Sequence, residues 1–535
     1  MRAGLVTGGI FLHGCIRKLG NGKVSYANIK GAIMGPNAKA GHLLRGNGPY
    51  PAPAGTRQIG TLIIGAGISG LSAGRWLKKQ GHTDFEILEL EDHAGGNAHS
   101  RHNTVSAYPL GAHYITIANN EDQLLIDFLQ ELGVITHFEN GLPFYNEYYL
   151  CFDPEERLLL NGQWQEGLIP QFGIADEDKR QIKRFFKLVE ELKQAKGHDG
   201  KYAFNIPIDQ SSADNVYRNL DKISFKTYLH NKGFTSKYLL WYLNYCCKDD
   251  YGQQTGKVSA WAGLSYFAGH KGKSANAGDG DILTWPEGNG WLVNQLREGL
   301  KGHVRTSSMV FSVLEREDKI AVSVYDLLKK ESYVIEASQV IMASPQFVNQ
   351  RILKGIDRPD FNVERISYAP WMVANITLQD LTGTILEGIN WDNVPYGAPS
   401  VGYVNAGHQH LNTTEKNKVI TFYLPLCDYE PRVARLAAYT RTYEQWLDKI
   451  IPEMEFMHPG ITPYISNVEI WVWGHGMVVP SVNYLWGEDR QQAAAPVNNK
   501  FFFAHTDLSG ISLFEEGFHQ GIRAARQLID SGKSW

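Results

Sequence analysis

The chain has 535 residues, 43% of them hydrophobic, enough for one large core and more naturally for two lobes, because single cores stop growing at roughly 250–300 residues. Fifty-two basic against fifty-six acidic residues leave a formal charge of −4 with no long basic run, which excludes a surface built to track a nucleic-acid backbone. Five cysteines, at positions 15, 151, 246, 247 and 427, make neither a disulfide framework nor a C-x-x-C metal pair.

The first element is a short apolar run, "AGLVTGGIFLHG", behind Arg2 and ahead of Cys15. It resembles the lipobox of bacterial lipoproteins, although His13 is unusual there and the run is too short to span a bilayer. Two readings stand: a lipoprotein signal that leaves an extracytoplasmic protein tethered to a membrane through Cys15, or the disordered start of a cytoplasmic enzyme. The Gly- and Pro-rich stretch up to residue 56 has no apolar period and reads as a linker or strap, with folded structure beginning near Ile59.

"TLIIG" then reads as a buried parallel strand, followed by Gly65-Ala66-Gly67-Ile68-Ser69-Gly70 and a helix that ends before Gly81. Gly65 permits the tight turn, Gly67 lets a pyrophosphate approach the backbone, and Gly70 lets helix and strand pack closely. The helix N-terminus, with Ile68 and Ser69, aims free N–H groups at the phosphates. A second strand, "DFEILEL", brings Glu89 and Leu90 to the ribose, the acid standing nineteen residues beyond Gly70. A carboxylate there accepts hydrogen bonds from both ribose hydroxyls and repels a 2′-phosphate, so NADP is disfavoured and the choice lies between NAD and FAD.

Helices are predicted from "EDQLLIDFLQELG", where Leu124, Leu125, Phe128, Leu129 and Leu132 share a face, and from the basic stretch 178–196, where Ile182, Phe185, Phe186, Val189 and Leu192 do so and the charges take the solvated side. Residues 355–497 are richer in strands, with "WMVANITL", "VITFYLPL" and "NVEIWVWG". His408 and His410 lack a convincing third ligand, so no metal is expected. No nucleophile elbow is read from the sequence, since its G-x-S-x-G match, Gly70-Leu71-Ser72-Ala73-Gly74, falls inside the predicted helix, and no Walker-type loop is present.

Six residues beyond Glu89 comes Gly95-Gly96-Asn97, and with this extension the chain resembles the flavin amine oxidase superfamily, in which a Gly-Gly pair and usually an Arg follow the ribose acid. Asn97 stands in place of that Arg, so one phosphate contact must be made differently. Further motifs follow in the family's order. "YPLGAHYI" resembles the flavin-contacting loop, implying Gly111, Ala112 and His113 beside the isoalloxazine. "WPEGNGWLVNQL" resembles the segment leading back to the cofactor domain, and "VRTSSMVFSVL" with "VIMASPQFV" resembles strands in which Val310 pairs its backbone with adenine. The C-terminal "FFFAHTDLSGISLFEEGFHQGIRAARQLI" resembles the last strand, turn and helix, implying Asp507 on the ribitol or pyrophosphate and Gly517 at a helix start that faces the flavin. Negative charge on the reduced flavin is stabilised by such a helix end.

The resemblance implies an α/β fold: a discontinuous Rossmann-like FAD-binding domain from residues 57–115, 285–348 and 498–535, with an inserted α+β substrate domain from 116–284 and 349–497, after a leader and linker over 1–56. It implies an FAD-dependent oxidoreductase that takes hydride from a substrate C–H, foremost the CH–NH of an amine, and passes electrons to O2 or a quinone. FAD is expected to be noncovalent, since no cysteine lies near the C-terminal motif. Pocket candidates are Trp473, His475 and Tyr484 of "EIWVWGHGMVVPSVNYLWG", together with Trp471, Trp486 and Asn375, the last standing where many such enzymes carry a water-holding lysine. Leu513 stands where an aromatic often faces the flavin. "WGHGMVVPSVNY" also resembles protoporphyrinogen oxidases and carotenoid desaturases, which leaves a CH–CH dehydrogenase of an apolar substrate as one alternative. A non-catalytic binding protein like the Rab GDP-dissociation inhibitors is the other.

Overall fold

The structure is a computed structural model and describes residues 26–46, 50–278, 280–382, 385–386, 388–410 and 416–532. Cys15 and the run before it lie outside the described residues.

Two large sheets organise the chain. The first begins with β2, Thr56–Ile64, which pairs in parallel with β3, Phe85–Leu88, and on its other side with the long strand Glu331–Met342. Strands Lys319–Asp326 and Ser308–Arg316 extend it antiparallel, and Phe501–Phe503 joins Glu331–Met342 in parallel. Side-chain alternation decides what lies on each face. Ile63 packs with Leu71 and Leu77 of helix α2, Ile68–Lys79, and with Phe518 and Ile522 of the C-terminal helix Phe514–Gly532. Leu62 and Ile64 join Val322, Val324 and Val340 on the opposite side. This is the three-layer arrangement that near-continuous apolar strands demand.

The second sheet runs, in order, through β1 (Lys30–Met34), Ile465–Val478, Tyr368–Leu378, Lys418–Pro425, Tyr403–Asn405, Asp392–Pro395, Glu156–Leu160 and Gln163–Glu166. One face carries the helix Tyr443–Met457 through Trp446, Leu447 and Ile450. The other packs Tyr423, Trp371 and Trp391 toward the first sheet's loops and the helix Lys237–Tyr251. The basic stretch forms the helix Asp176–Gln194, with Phe185 and Val189 buried, and Leu125, Phe128 and Leu129 are buried in Gln123–Glu131.

One difference from the sequence reading stands out. Residues 30–43, expected to be linker, hold β1 and helix α1, Ala38–Leu43. The segment has no apolar period because β1 is an edge strand whose pairing is backbone alone, parallel to Asn467–Trp471. No helix among the described residues is long and apolar enough to cross a membrane.

Candidate active site

The turn between β2 and α2 is built by its glycines. Gly65 has φ +107°, and a Cβ at position 70 would sit 1.9 Å from the Gly65 carbonyl oxygen, so the helix can leave the strand this closely only with glycine there. A Cβ at Gly67 would meet nothing within 4 Å, so its backbone faces free space. Gly67 caps α2 without a side-chain hydrogen bond, leaving the N–H groups of the first turn for a ligand. Gly521 of the C-terminal helix comes closest to this turn, where a Cβ would lie 2.1 Å from the Ser69 oxygen, while Gly517 lies beside Ile68. Sequence reasoning named Gly517 and missed Gly521, which the one-turn spacing of the two glycines signals.

Glu89 stands just past β3. Its carboxylate accepts the Ala66 N–H at 2.7 Å and the Glu91 N–H at 3.0 Å, and burial pushes its pKa up against these bonds. Gly95, at φ +123°, donates its N–H to the Ala66 oxygen, and Gly96 lies over Gly67. The Asn97 amide reaches the Gly476 carbonyl, tying this loop to the second sheet. Leu90 is half-buried, and Val310 pairs with Val324 beside a bulge at Phe311.

Asp507 is fully buried. One carboxylate oxygen accepts the Gln346 N–H at 2.8 Å and the Tyr368 hydroxyl at 2.6 Å. The other is 2.9 Å from His505 Nδ1, but Nδ1 already accepts the Asp507 N–H, so in that tautomer this oxygen has no donor. Burial pushes the Asp507 pKa up, but the charge of His505 when its ring is protonated, with the bonds from Tyr368 and the Gln346 amide, outweighs it and holds the carboxyl below its usual range. Tyr484 donates to the Asp507 carbonyl at 2.6 Å, which makes it a brace for this turn rather than a pocket wall. An acceptor in want of a donor, glycine backbone open to space and a ribose acid fit the two ends of an FAD molecule.

The loop Gly111–His113 links the Asn97 loop to the second sheet. A Cβ at Gly111 would lie 2.5 Å from the Asn97 oxygen, Ala112 donates its N–H to that oxygen at 3.2 Å, and Tyr423 donates to the Gly111 carbonyl at 3.0 Å. His113 stacks near Tyr423 and Trp391, and burial pulls its pKa down to about 4, so the ring is neutral. Trp473 donates to the Leu110 carbonyl at 2.5 Å. The Asn375 amide is spent on the Pro109 carbonyl and the Thr421 hydroxyl, which locks the loop to the sheet. His475 stacks on Phe347, Trp471 lies near His99, and Trp486 packs on Trp261 in the helical core, away from the loop. Leu513 packs at that helical core as well.

Beyond His113 lie acids that sequence reasoning missed. Asp249 and Asp250 end the helix Lys237–Tyr251, and Asp392 and Glu156 are Cα partners in adjacent parallel strands. Tyr114 donates to Asp250 at 3.3 Å and Tyr245 to Asp392 at 3.2 Å. None of the four acids forms an ion pair with a cation among the described residues. Burial, then mutual repulsion, raises Asp249 and Asp392; burial pushes Glu156 to about 6, and burial with the charge of Glu515 pushes Asp250 to about 7. Half of the signal was in the sequence, since two acids at a helix C-terminus oppose the macrodipole. The Asp392–Glu156 pairing exists only in the folded sheet.

Residues 68–529 match the family of flavin containing amine oxidoreductases, and the chain belongs to that family, whose cofactor is FAD. The chain is similar to polyamine oxidase 7 of Oryza sativa subsp. japonica, 44% identical over 68 residues, a stretch of 13% of this chain and 14% of that relative. Among solved structures, putrescine oxidase bound to putrescine shares the fold with a TM-score of 0.66 at 17% identity, over 89% of this chain and 100% of the other. Cyclohexylamine oxidase from Brevibacterium oxydans IH-35A does so with a TM-score of 0.62 at 14% identity, over 89% and 99%.

Proposed function

We propose that the protein oxidises a polycationic amine at a C–H next to nitrogen, a reading carried by the uncompensated acids of the aromatic chamber beside Gly111–His113. When bound, FAD supplies the two-electron acceptor for that hydride. Glu89 holds the ribose, the first turn of α2 with Gly67, Ile68 and Ser69 holds the pyrophosphate, and Asp507 takes a hydroxyl of the ribitol. Gly96 and Asn97 close the adenosine side, and Val310 meets the adenine.

Four carboxylates held away from bulk water without a cation are costly, because each charged form loses hydration that the single tyrosine bonds to Asp250 and Asp392 restore only in part. A ligand with several ammonium groups relieves both terms at once. Asp392 and Glu156, Cα partners in adjacent strands, suit a distal ammonium together with Asp249, which they repel, while Asp250, bonded to Tyr114, lies nearer the loop. The reacting nitrogen must be neutral to release hydride. The walls around it, Tyr423, Trp391 and a neutral His113, favour the neutral amine by desolvation. The names of the polyamine and putrescine oxidases to which the chain is similar agree with this reading.

The test is anaerobic mixing of FAD-loaded protein with a triamine, a diamine and a monoamine of matched length, read as bleaching of the flavin bands. The expected order of efficiency is triamine or diamine far ahead of monoamine. Bleaching by the monoamine alone would remove the acids from substrate recognition, and no bleaching by any amine would sink the reading.

A further inference from the structure

The N-terminal segment crosses both sheets. Ile29 is buried in the second sheet's core, and β1 lies so tightly against Ile465–Val478 that a Cβ at Gly31 would fall 1.9 Å from the Val468 oxygen. Tyr443 fixes the strand by donating to the Lys30 carbonyl at 2.7 Å. The chain then turns, and the Asn37 N–H is shared between both carboxylate oxygens of Glu91, at 2.8 and 3.1 Å. Leu44 packs on the first sheet's core, and the ring of Tyr50 stacks on Phe311 at 3.9 Å between centroids.

Two of these landing points neighbour candidate cofactor residues in sequence, and the helix between them faces His475. Glu91 is two positions past Glu89, Phe311 follows Val310, and His42 and Arg45 act electrostatically on His475, which senses Asp507 as well. The segment therefore runs beside the residues read as the adenosine end and comes near His475, on the side of Asp507. We propose that residues 26–46 with Tyr50 form a cofactor-retaining strap, a part of the FAD site contributed from outside the glycine-rich unit. FAD held under it can leave only when the strap lifts, so cofactor binding and strap closure stabilise each other reciprocally. The proposal rests on FAD occupying the cradle.

Two measurements test it on the full chain. Trypsin cleavage after Lys39 and Arg45, followed by mass spectrometry, is expected to be roughly tenfold slower in FAD-loaded than in FAD-free protein. Flavin absorbance of the same samples separates FAD that never binds from FAD that binds without engaging the strap. Either of these overturns the proposal, and so do equal cleavage rates in the two forms. The second measurement is FAD release after dilution, read as recovery of free-flavin fluorescence. It uses a double variant: Asn37→Pro, which removes the shared N–H and keeps a φ of −67° that suits proline, with Tyr50→Ala. Release about tenfold faster, with the absorption spectrum of the bound flavin unchanged, is expected. Release within about twofold of the parent overturns the strap. The protease comparison needs no variant and decides alone if the double variant does not fold.

Discussion

A carboxylate at the end of β3 does two jobs. Glu89 bonds the Ala66 and Glu91 amides, fixing the glycine turn, and in the proposed reading its remaining acceptor capacity serves the ribose. Replacement by alanine removes both, so Glu89→Ala should weaken FAD binding by about 1.5–3 kcal/mol, the worth of hydrogen bonds to a charged group. Glu89→Gln keeps one acceptor and the shape, and should fall between. Titration of FAD-free protein, followed by quenching of flavin fluorescence, gives both numbers. An alanine variant with the parent's affinity would mean that the ribose is held elsewhere. The neighbouring residues show how far sequence alone reached: the role of Glu89 follows from spacing, whereas the free acceptor on Asp507 depends on which atom His505 satisfies, a tautomer that no pattern encodes.

The strand, turn and helix unit separates two kinds of glycine that the motif treats alike. At Gly70 a side chain would overlap the Gly65 carbonyl and crowd Ala343, so Gly70→Ala should destabilise the fold by about 1–3 kcal/mol or more. At Gly67 a methyl group meets no protein atom and the backbone, φ −71° and ψ −178°, is open to any residue. Gly67→Ala should therefore leave thermal unfolding of the FAD-free protein within about 0.5 kcal/mol of the parent. The same methyl group intrudes on the pyrophosphate, so FAD affinity should drop roughly tenfold or more. Thermal unfolding with and without FAD checks both, and a Gly67→Ala protein with full FAD stabilisation would place the phosphates away from this turn. The unit was legible because periodicity and turn chemistry are local. β1 was not, because an edge strand held by backbone pairing leaves no side-chain pattern, and the strap's contacts join residues far apart in the chain, Asn37 with Glu91 and Tyr50 with Phe311.

At the scale of the molecule the four acids are brought together from the end of the helix Lys237–Tyr251 and from the strands Glu156–Leu160 and Asp392–Pro395, beside the loop Gly111–His113. That is why they escaped a linear reading although the flavin motifs did not. The assembly has a pH signature. Burial raises Glu156 to about 6 and Asp250 to about 7 in the folded protein. Between the ordinary carboxylate range and those values the folded state holds more protons than the unfolded state, so these two groups make the ligand-free protein less stable as pH rises through that window. A polycation binds the ionised acids and reverses the sign. Its affinity should rise from about pH 5 to about pH 8, by up to roughly tenfold for each pH unit while one acid is still releasing its proton. Above that range the substrate loses its own charge and the gain ends. Thermal stabilisation of FAD-loaded protein by a redox-inert diquaternary ammonium compound, measured across this range, isolates the acids because the ligand itself does not titrate. The double variant Glu156→Gln, Asp250→Asn should flatten the profile while leaving flavin content unchanged. A parent protein whose stabilisation by the diquaternary ligand is the same at about pH 5 and about pH 8 would show that the chamber's acids do not meet the cation.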